Sequence, residues 1–325
     1  MTAQYLRRAS LIIGSDSELL DLSALQFRFD VLRGDRQTPN TCSVRCYNLA
    51  KPTINKLKSG EFTALALRAG YKDNLGLIFA GTIKYVYFGH ESAVDSYADI
   101  VAADGDSAYN YAVVNKSLSA GSTPQDHIAL AAKSMKGFDV EFDTSSNTTI
   151  NGGQLPRGKV FYGLARDTLR RSARDLGMTW SIQDGQLGLV LQTSYLPGNP
   201  VVLTAATGLV GFPEQTQNGI NIRCLLNPAI KINGRVQIDN ASVQQFHYDL
   251  SVTGQAMSSM VPTLDHDGMY KVLFAQHKGD TRGNDFYTDL TCIAVDQTAK
   301  QSEAILNKQM VGPVPPGPVN PYLGG

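Results

Sequence analysis

The stretch that decides the fold is Asn40–Gly81, NTCSVRCYNLAKPTINKLKSGEFTALALRAGYKDNLGLIFAG. Near its start Val44 and Cys46 alternate with polar residues, and near its middle Thr63, Leu65 and Leu67 alternate with Ala64, Ala66 and Arg68. A period of two residues is typical of a strand with one buried face. A polar turn and a second apolar run follow. The pattern predicts strand, short helix, strand, turn and strand.

The helix of this stretch is predicted over Pro52–Lys58. Ile54 and Leu57 lie three residues apart and share a face of the helix. Proline suits the first turn of a helix, where its missing N–H is not needed, and Gly60 suits the left-handed residue that ends one. Ala50 leaves the N-cap without a side-chain acceptor, which costs about 1 kcal/mol.

The order of the punctuating residues resembles the first domain of phage baseplate hub proteins. These residues are Tyr47-Asn48-Leu49, Gly60, Ala69-Gly70-Tyr71 and Phe79-Ala80-Gly81. Ala50 departs from the resemblance, because such proteins more often carry Ser or Thr there. Later stretches resemble the second ring-forming domain of the same proteins, namely Gly208–Pro213, Leu226-Asn227-Pro228 and Gly279–Gly283.

The composition is that of a soluble protein with balanced charge. The chain has 325 residues, enough for two or three domains, and 42% of them are hydrophobic. Lys plus Arg equal Asp plus Glu at 29 each, so the formal net charge is zero. A protein that clamps DNA needs a basic surface that displaces counterions. The balance argues against a DNA clamp and is compatible with a wall past which DNA slides.

The chain is expected to be made and kept in a cytosol. Its N-terminal apolar run, Leu11-Ile12-Ile13, is too short for the core of a signal peptide, and no stretch approaches the ~20 apolar residues of a membrane span. The cysteines fit strand patterns as small core residues. They are Cys42, Cys46, Cys224 and Cys292.

From about Gly121 the hydrophobic period becomes helical. The predicted elements are a helix from Pro124 to Gly137 capped by Ser122 or Thr123, a strand over Phe138, Val140 and Phe142, a helix over about Tyr162–Leu176, and a hairpin turning at Asp184-Gly185. This αβαββ order resembles the middle domain of hub proteins.

Beyond a linker at Pro197–Pro200 the chain returns to strands. They are predicted at Ile220–Leu226, Ile230–Ile232, Val236–Ile238 and Phe246–Leu250, with a hairpin of Tyr270–Phe274 and Phe286–Val295 around a loop from His277 to Gly283. The Pro-rich end, Val311–Gly325, is expected to be extended chain.

The predicted fold class is α+β, mainly β. Two small antiparallel β-barrel domains, similar to tail-tube proteins, flank the small αβαββ domain. The predicted boundaries are 1–106 for the first barrel, 107–196 for the middle domain, 197–300 for the second barrel and 301–325 for the tail.

Asp265-His266-Asp267 is the best candidate for a metal cluster, with His247 or His277 as a further ligand. Consecutive side chains converge only where the backbone turns, and Gly268 marks an ordinary polar loop. The sequence therefore predicts no metal site, no cofactor and no catalytic residue.

Other motifs have ordinary interpretations. The second predicted helix carries a row of arginines that either binds phosphate or faces solvent or another subunit. A solvent-facing or subunit-facing row is favoured because acidic residues are interleaved with it. The row consists of Arg166, Arg170 and Arg174, with Arg171 beside them. Four more motifs are interpreted as structural rather than functional. They are Cys42 with Cys46, which resembles part of a zinc knuckle; Arg33-Gly34-Asp35, a cell-adhesion tripeptide; His90-Glu91, which begins like a zinc-protease helix; and the glycosylation sequons at Asn115, Asn147 and Asn240.

The resemblance implies a structural role rather than catalysis. It implies a homotrimer in which two strand-rich domains per copy alternate, giving a pseudo-sixfold ring that joins the tail tube protein to a spike or tip protein. Tape measure protein and other baseplate components are further implied partners. DNA would only pass through the channel, and no membrane is involved. The expected location is the virion, in the tail baseplate, after synthesis in the host cytoplasm.

Two alternatives remain open from the sequence. One is a tail-tip cell-wall hydrolase whose site lies in the αβαββ domain or in the Asp265–Asp267 loop. The other is the corresponding hub of a secretion apparatus or bacteriocin, which shares the fold.

Overall fold

A computed structural model describes residues 6–15, 18–35, 37–138, 140–142, 152–216, 219–244 and 264–295. Its strands are β1 (Arg7–Gly14), β2 (Leu19–Asp21), β3 (Phe27–Gly34), β4 (Thr41–Tyr47), β5 (Ala64–Tyr71), β6 (Asn74–His90), β7 (Ser96–Ala103), β8 (Val113–Leu118), β9 (Glu141–Phe142), β10 (Lys159–Leu164), β11 (Met178–Gln183), β12 (Gln186–Leu191), β13 (Val201–Leu203), β14 (Leu209–Thr216), β15 (Gly219–Leu225), β16 (Arg235–Ile238), β17 (Met269–Asp280) and β18 (Phe286–Ala294). The α-helices are α1 (Lys51–Ser59), α2 (Asp106–Tyr111), α3 (Pro124–Lys136) and α4 (Ala165–Asp175).

Thirteen strands form one sheet that runs through both strand-rich parts of the chain. Its main path is β14-β15-β18-β17-β3-β4-β7-β6-β5-β1-β2, and β16 pairs with both β17 and β13. The two parts meet where β17 pairs antiparallel with β3, from Phe274 opposite Gly34 to Asp280 opposite Arg28. The predicted mainly β, antiparallel character is confirmed.

The predicted closed barrels are not confirmed. Among the described residues the sheet does not close on itself, since β2 ends its path on one side and β14 on the other. The domain boundaries stay a prediction.

The opening stretch folds as predicted. Gly60 ends α1 at a left-handed φ of 75°, and its N–H donates to the Leu57 carbonyl. Ala50 makes no side-chain cap. The strand predicted after the turn extends further than the opening stretch, since β6 continues to His90 and carries a bulge between Ile83 and Tyr85.

The middle part differs from its prediction at one helix boundary and in three additional elements. Thr123 and Asp126 cap α3 reciprocally, as the sequence indicates. The second helix, however, begins at Ala165 rather than Tyr162, because Gly163 takes a φ of 132° that no helix allows and Tyr162 belongs to β10. The strands β8 and β10 and the short α2 were not predicted.

The last part also needs correction. His277 lies within β17, so the predicted loop from His277 to Gly283 is shorter, at residues 281–285. Ile230 and Ile232 are buried but lie outside strands. The predicted strand Phe246–Leu250 and the tail Val311–Gly325 lie outside the described residues.

Three hydrophobic clusters lie beneath this architecture. The first packs β1–β7 against α1, with Phe79 and Ile100 near its centre, and also takes in Phe286 from β18. The second surrounds Trp180 between the helices and the β11–β12 hairpin, and the third surrounds Tyr270. None of the helices in the described ranges has the length and apolar character of a membrane span.

A buried polar network joins the β11–β12 turn to the large sheet, and we call it the junction network. Its residues are Arg33, Asn40, Asp104, Gln183 and Asp184. Asp104 accepts hydrogen bonds from the backbone N–H groups of Asp184 (2.6 Å) and Gly185 (2.9 Å). Arg33, 4% exposed, forms an ion pair with Asp184 at 2.8 Å, and Asn40 donates to Gln183 at 2.9 Å. These bonds fix the middle part against the sheet.

Candidate functional site: a charge-balanced face of the sheet

One face of the large sheet packs on the hydrophobic clusters, and the other is polar. The polar face is formed by outward side chains of β7, β4, β3, β17, β18 and β15, and we call it the ladder face. Alternation along β4 shows the division, since Val44 and Cys46 are buried and Arg45 between them is half-buried. The ladder face crosses both strand-rich parts through the β3–β17 pairing.

The first pair of the ladder face is Arg45 and Asp99, which stand opposite each other on β4 and β7. Two parallel hydrogen bonds join them, at 2.7 and 2.8 Å. Arg45 also lies 4.0 Å over the ring of Tyr97. The bidentate bond to Asp99 raises the pKa of Arg45, so this guanidinium stays charged and oriented along the sheet.

The second pair joins the two strand-rich parts. Arg28 on β3 stands opposite Asp280 on β17 and donates to it at 2.9 Å. Burial raises the pKa of Asp280, but the backbone N–H groups of Arg282 and Gly283 and the Arg28 side chain more than offset this, so its pKa lies below the usual value. Asp280 is therefore held as a carboxylate where β3 pairs with β17.

The third pair is Asp30 on β3 opposite Lys278 on β17. Asp30 accepts two hydrogen bonds from the Gln276 amide, at 2.8 and 2.9 Å. Burial raises its pKa, and these bonds and Lys278 partly oppose that rise.

The fourth pair lies at the far end, where Arg223 on β15 stands opposite Asp289 on β18. Two hydrogen bonds of 2.6 and 3.1 Å join them. The bond to Asp289 raises the pKa of Arg223. Across six strands, each of these bases thus stands beside an acid.

A surface built this way is polar, and its three arginines are not free to bind phosphate. Phosphate binding requires Lys or Arg donors that release counterions, and here the guanidinium groups of Arg45, Arg28 and Arg223 are already held by carboxylates. Surface pairs of this kind add little to stability, typically about 0–1 kcal/mol each. The main effect of their regular placement is therefore on the charge that this face presents to its surroundings, and the effect on folding stability is small.

The sequence matches the family described as Baseplate hub gp41 over residues 37–243, which is more than half of the chain. The chain belongs to this family. Baseplate hub proteins are structural components of phage tails, so the chain is a virion tail component. No curated protein matches the chain significantly.

Solved structures share the fold of this baseplate hub protein. The 43 kDa tail protein of prophage MuSo2 from Shewanella oneidensis has a TM-score of 0.55 at 9% identity, over 88% of this chain and 98% of its own. The tail protein from Neisseria meningitidis MC58 has a TM-score of 0.54 at 9% identity, over 89% and 96%.

A secretion component is similar too. The E. coli c3393 protein, a component of the type VI secretion system with structural similarity to T4 bacteriophage tail proteins gp27 and gp5, has a TM-score of 0.54 at 10% identity, over 84% of this chain and 74% of its own. These likenesses concern the fold alone. The family match over residues 37–243 confirms the resemblance carried by the punctuating residues between Tyr47 and Gly81.

In this hub protein the Asp265–Asp267 loop is a structural turn. The carboxylate of Asp265 accepts from the backbone N–H groups of Asp267 (3.0 Å) and Met269 (2.9 Å), which starts β17. His277 is buried and bonded to Thr288 at 2.8 Å, and burial lowers its pKa to about 3. His247 lies outside the described residues. Within the described ranges no three acids, histidines or cysteines gather as a metal site would require.

The arginine row on α4 is mostly engaged within the chain. Arg166 donates to Asn110 (2.9 Å) and lies 4.6 Å over the ring of Tyr109. Arg170 donates to Gln37 at 2.7 Å. Arg174 is exposed. Arg166 therefore ties α4 to α2, and Arg170 ties it to the first part of the chain.

The remaining motifs have structural positions. All four cysteines are buried free thiols, and burial raises the pKa of Cys46 and of Cys224 to about 12. Arg33 of the Arg-Gly-Asp tripeptide is buried in the junction network. His90 ends β6. Asn115 lies on β8, Asn240 donates to the Asp265 carbonyl, and Asn147 lies outside the described residues.

The ladder face and the junction network were not predicted from the sequence. Each depends on pairings between residues far apart in the chain. The available signal was a charged residue at every second position of the strand stretches, as in Arg28 and Asp30, which indicated a solvated face but not its partner.

Proposed function

We propose that this hub protein is a ring subunit of a phage-type tail. Three copies form a homotrimer in which the two strand-rich parts of each copy, residues 1–106 and 197–300, act as tube-like β-barrel units. Three copies with two units each present six similar units, which matches a trimer to a sixfold tail tube. The middle part, residues 107–196, lies between them in sequence, and 301–325 forms the tail.

The observation that carries the proposal is the ladder face. It is the surface that continues from one strand-rich part into the other, through Arg28 and Asp280. We place it toward the channel of the ring. DNA passing such a wall meets acids and bases in pairs, so no run of free cations retains its phosphates.

The partners follow from this placement. The ring joins the tail tube protein on one side to a spike or tip protein on the other, with tape measure protein and other baseplate components around it. The subunit is made in the host cytoplasm and functions in the virion baseplate. The E. coli c3393 likeness favours no particular host or tail type.

The first test is assembly. Light scattering and electron micrographs of the purified protein, alone and beside its tube protein, are expected to show a trimer or a ring. An inert monomer under both conditions would refute the proposal.

The second test concerns the ladder face. The triple variant Asp99→Asn, Asp280→Asn and Asp289→Asn frees three arginines per copy. It should bind duplex DNA more tightly than the natural ring, with a salt slope that steepens by about 0.9 for each further phosphate that a freed arginine neutralises. A matched control carries the same three changes with Arg45→Gln, Arg28→Gln and Arg223→Gln, which removes whole pairs.

The control should bind DNA as weakly as the natural ring. Equal DNA binding by the triple variant and the natural ring would contradict the placement of this face at the channel. Asp267→Asn, at an exposed turn, tests whether any lost acid has the same effect.

A further inference from the structure

A cavity of about 240 Å³ lies where the β11–β12 hairpin meets the two strand-rich parts of the chain. Arg33 lines it from the side of β3 opposite the ladder face, because it lies an odd number of residues from Arg28 and Asp30. The last part of the chain contributes Lys231 and Ile232, from the segment between β15 and β16. At about 30 Å³ for each molecule of liquid water, the cavity has room for about eight waters. It can therefore hold a small ligand or a single side chain.

Two cations at this cavity share one carboxylate. Asp184 accepts a hydrogen bond from Nη2 of Arg33 at 2.8 Å, and Nζ of Lys231 lies 3.9 Å from the same Oδ2 atom. The second distance is too long for a hydrogen bond. Asp104 lies outside the lining, and both its oxygens already accept N–H groups of the β11–β12 turn. The residues that line the cavity thus carry one positive charge more than negative charge.

Of the two cations, Lys231 is the one available to a ligand. Arg33 is buried, and its guanidinium donates to Gln183, to Asp184 and to the Ile78 carbonyl. The Lys231 side chain is 50% exposed, and its ammonium group makes no hydrogen bond within the described ranges. Burial and the charge of Arg33 lower the pKa of Lys231, and Asp184 only partly opposes this. The ammonium group therefore lacks a negative partner of its own.

The cavity also has an apolar wall. Val190 and Ile232 are buried, and the half-buried Leu196 lines the same space. A ligand with an anionic group at Lys231 and a short alkyl chain against this wall suits both features. Phosphate suits them less well, because it has no apolar part and carries a charge of about −1.5 to −2 near neutral pH. The single carboxylate of Asp184 would repel that second charge.

We propose that this cavity binds a short alkyl carboxylate, either a free acid or the glutamate side chain of a partner protein. The carboxylate pairs with the ammonium group of Lys231, and its methylene groups lie against Val190, Leu196 and Ile232. All the residues involved belong to one copy of the chain. The site therefore does not depend on the proposed ring.

The test is an NMR titration of the full chain with isotope-labelled propionate, which is the glutamate side chain as a free molecule. Saturable binding to a single site is expected, and propionamide, the neutral analogue, should not bind. Lys231→Gln should raise the dissociation constant of propionate at least about tenfold, because it removes the open cation. Formate should bind more weakly than propionate, by about fourfold for each carbon that the wall covers.

Controls separate this site from general charge effects. Lys116→Gln, at an exposed lysine on β8, should bind propionate as the natural chain does. Circular dichroism checks that each variant is folded. A blocked Gly-Glu-Gly tripeptide distinguishes the sources: binding at least as tight as that of propionate assigns the site to a protein side chain, and binding of propionate alone assigns it to a free acid.

Three results would overturn the site. They are no saturable binding of propionate, equal binding by Lys231→Gln and the natural chain, and tighter binding of inorganic phosphate than of propionate. A chain that binds propionate as expected but never assembles, even beside tube protein, would count against the ring alone.

Discussion

Asp104→Asn is the most informative single perturbation of the junction network. Asp104 is 2% exposed, and both its carboxylate oxygens accept backbone N–H groups of the β11–β12 turn. Burial raises its pKa from 3.8 to about 6, against the opposing effect of those hydrogen bonds, while nearby Asp184 adds to the rise. Asparagine keeps the shape and one acceptor but has no proton to lose.

The sign of the pH effect follows from the direction of this shift. The folded chain holds the Asp104 proton more tightly than the unfolded chain, so its contribution to stability is fully present below pH 3.8 and is lost as pH rises through about 6. A difference of roughly two pKa units at about 1.4 kcal/mol each makes this loss about 3 kcal/mol. Asp104→Asn removes the loss.

Urea unfolding at intervals from pH 4 to pH 7 measures it. The free energy of unfolding of the natural protein, minus that of the variant, should fall by about 2–3 kcal/mol over this range. Groups such as Asp30 and Asp280 titrate in both proteins and cancel in the difference. A difference that stays constant within about 0.5 kcal/mol would refute the assigned burial and partners of Asp104.

Four further outcomes are expected. Ala50→Ser supplies the missing cap of α1 and should raise the free energy of unfolding by about 1 kcal/mol in urea titrations, whereas an unchanged midpoint would contradict the cap assignment. Gly60→Ala should lower it by about 1 kcal/mol because of the φ of 75° alone, since a Cβ there meets no atom within 4 Å. Trp180→Ala should lower it by about 3–5 kcal/mol through a core cavity, and a loss below about 1 kcal/mol would place Trp180 outside the core. Thiol titration at pH 8 should find Cys292 and the other cysteines inert until urea is added, because burial raises the pKa of each; fast reaction of the folded protein would contradict that burial.

The local signals in the sequence predicted the elements they govern. Gly60 and the Thr123 cap fix where helices end and begin, because a left-handed residue and a side-chain acceptor act within one turn. Alternation such as Leu65 and Leu67 predicted the buried face of a strand. The failures were local too. Gly163 gives no sign in sequence of its φ of 132°, so the predicted helix begins three residues early.

Pairings between distant residues could not be predicted in the same way. Arg28 and Asp280 lie near opposite ends of the chain. The sequence alone does not show which acidic residue of which strand forms the ion pair with Arg28. In the sequence Asp104 simply follows a predicted strand, and nothing there indicates that it contacts the β11–β12 turn in the folded protein. The family resemblance supplied the role, since the spacing of residues could not show which strand β17 would meet.

A net charge of zero is compatible with two quite different surfaces, and only the pairing distinguishes them. Acids and bases gathered in separate patches would leave a field that reaches a passing phosphate. On the ladder face the opposite charges meet across neighbouring strands, as Arg45 and Asp99 do at 2.7 and 2.8 Å. This separation is shorter than the Debye length of about 8 Å at physiological salt, so their fields largely cancel before screening is needed. On the proposed function, weak interaction with DNA would thus be a local property of each pair. Separating a single pair should therefore change DNA binding even though the rest of the chain keeps its charges.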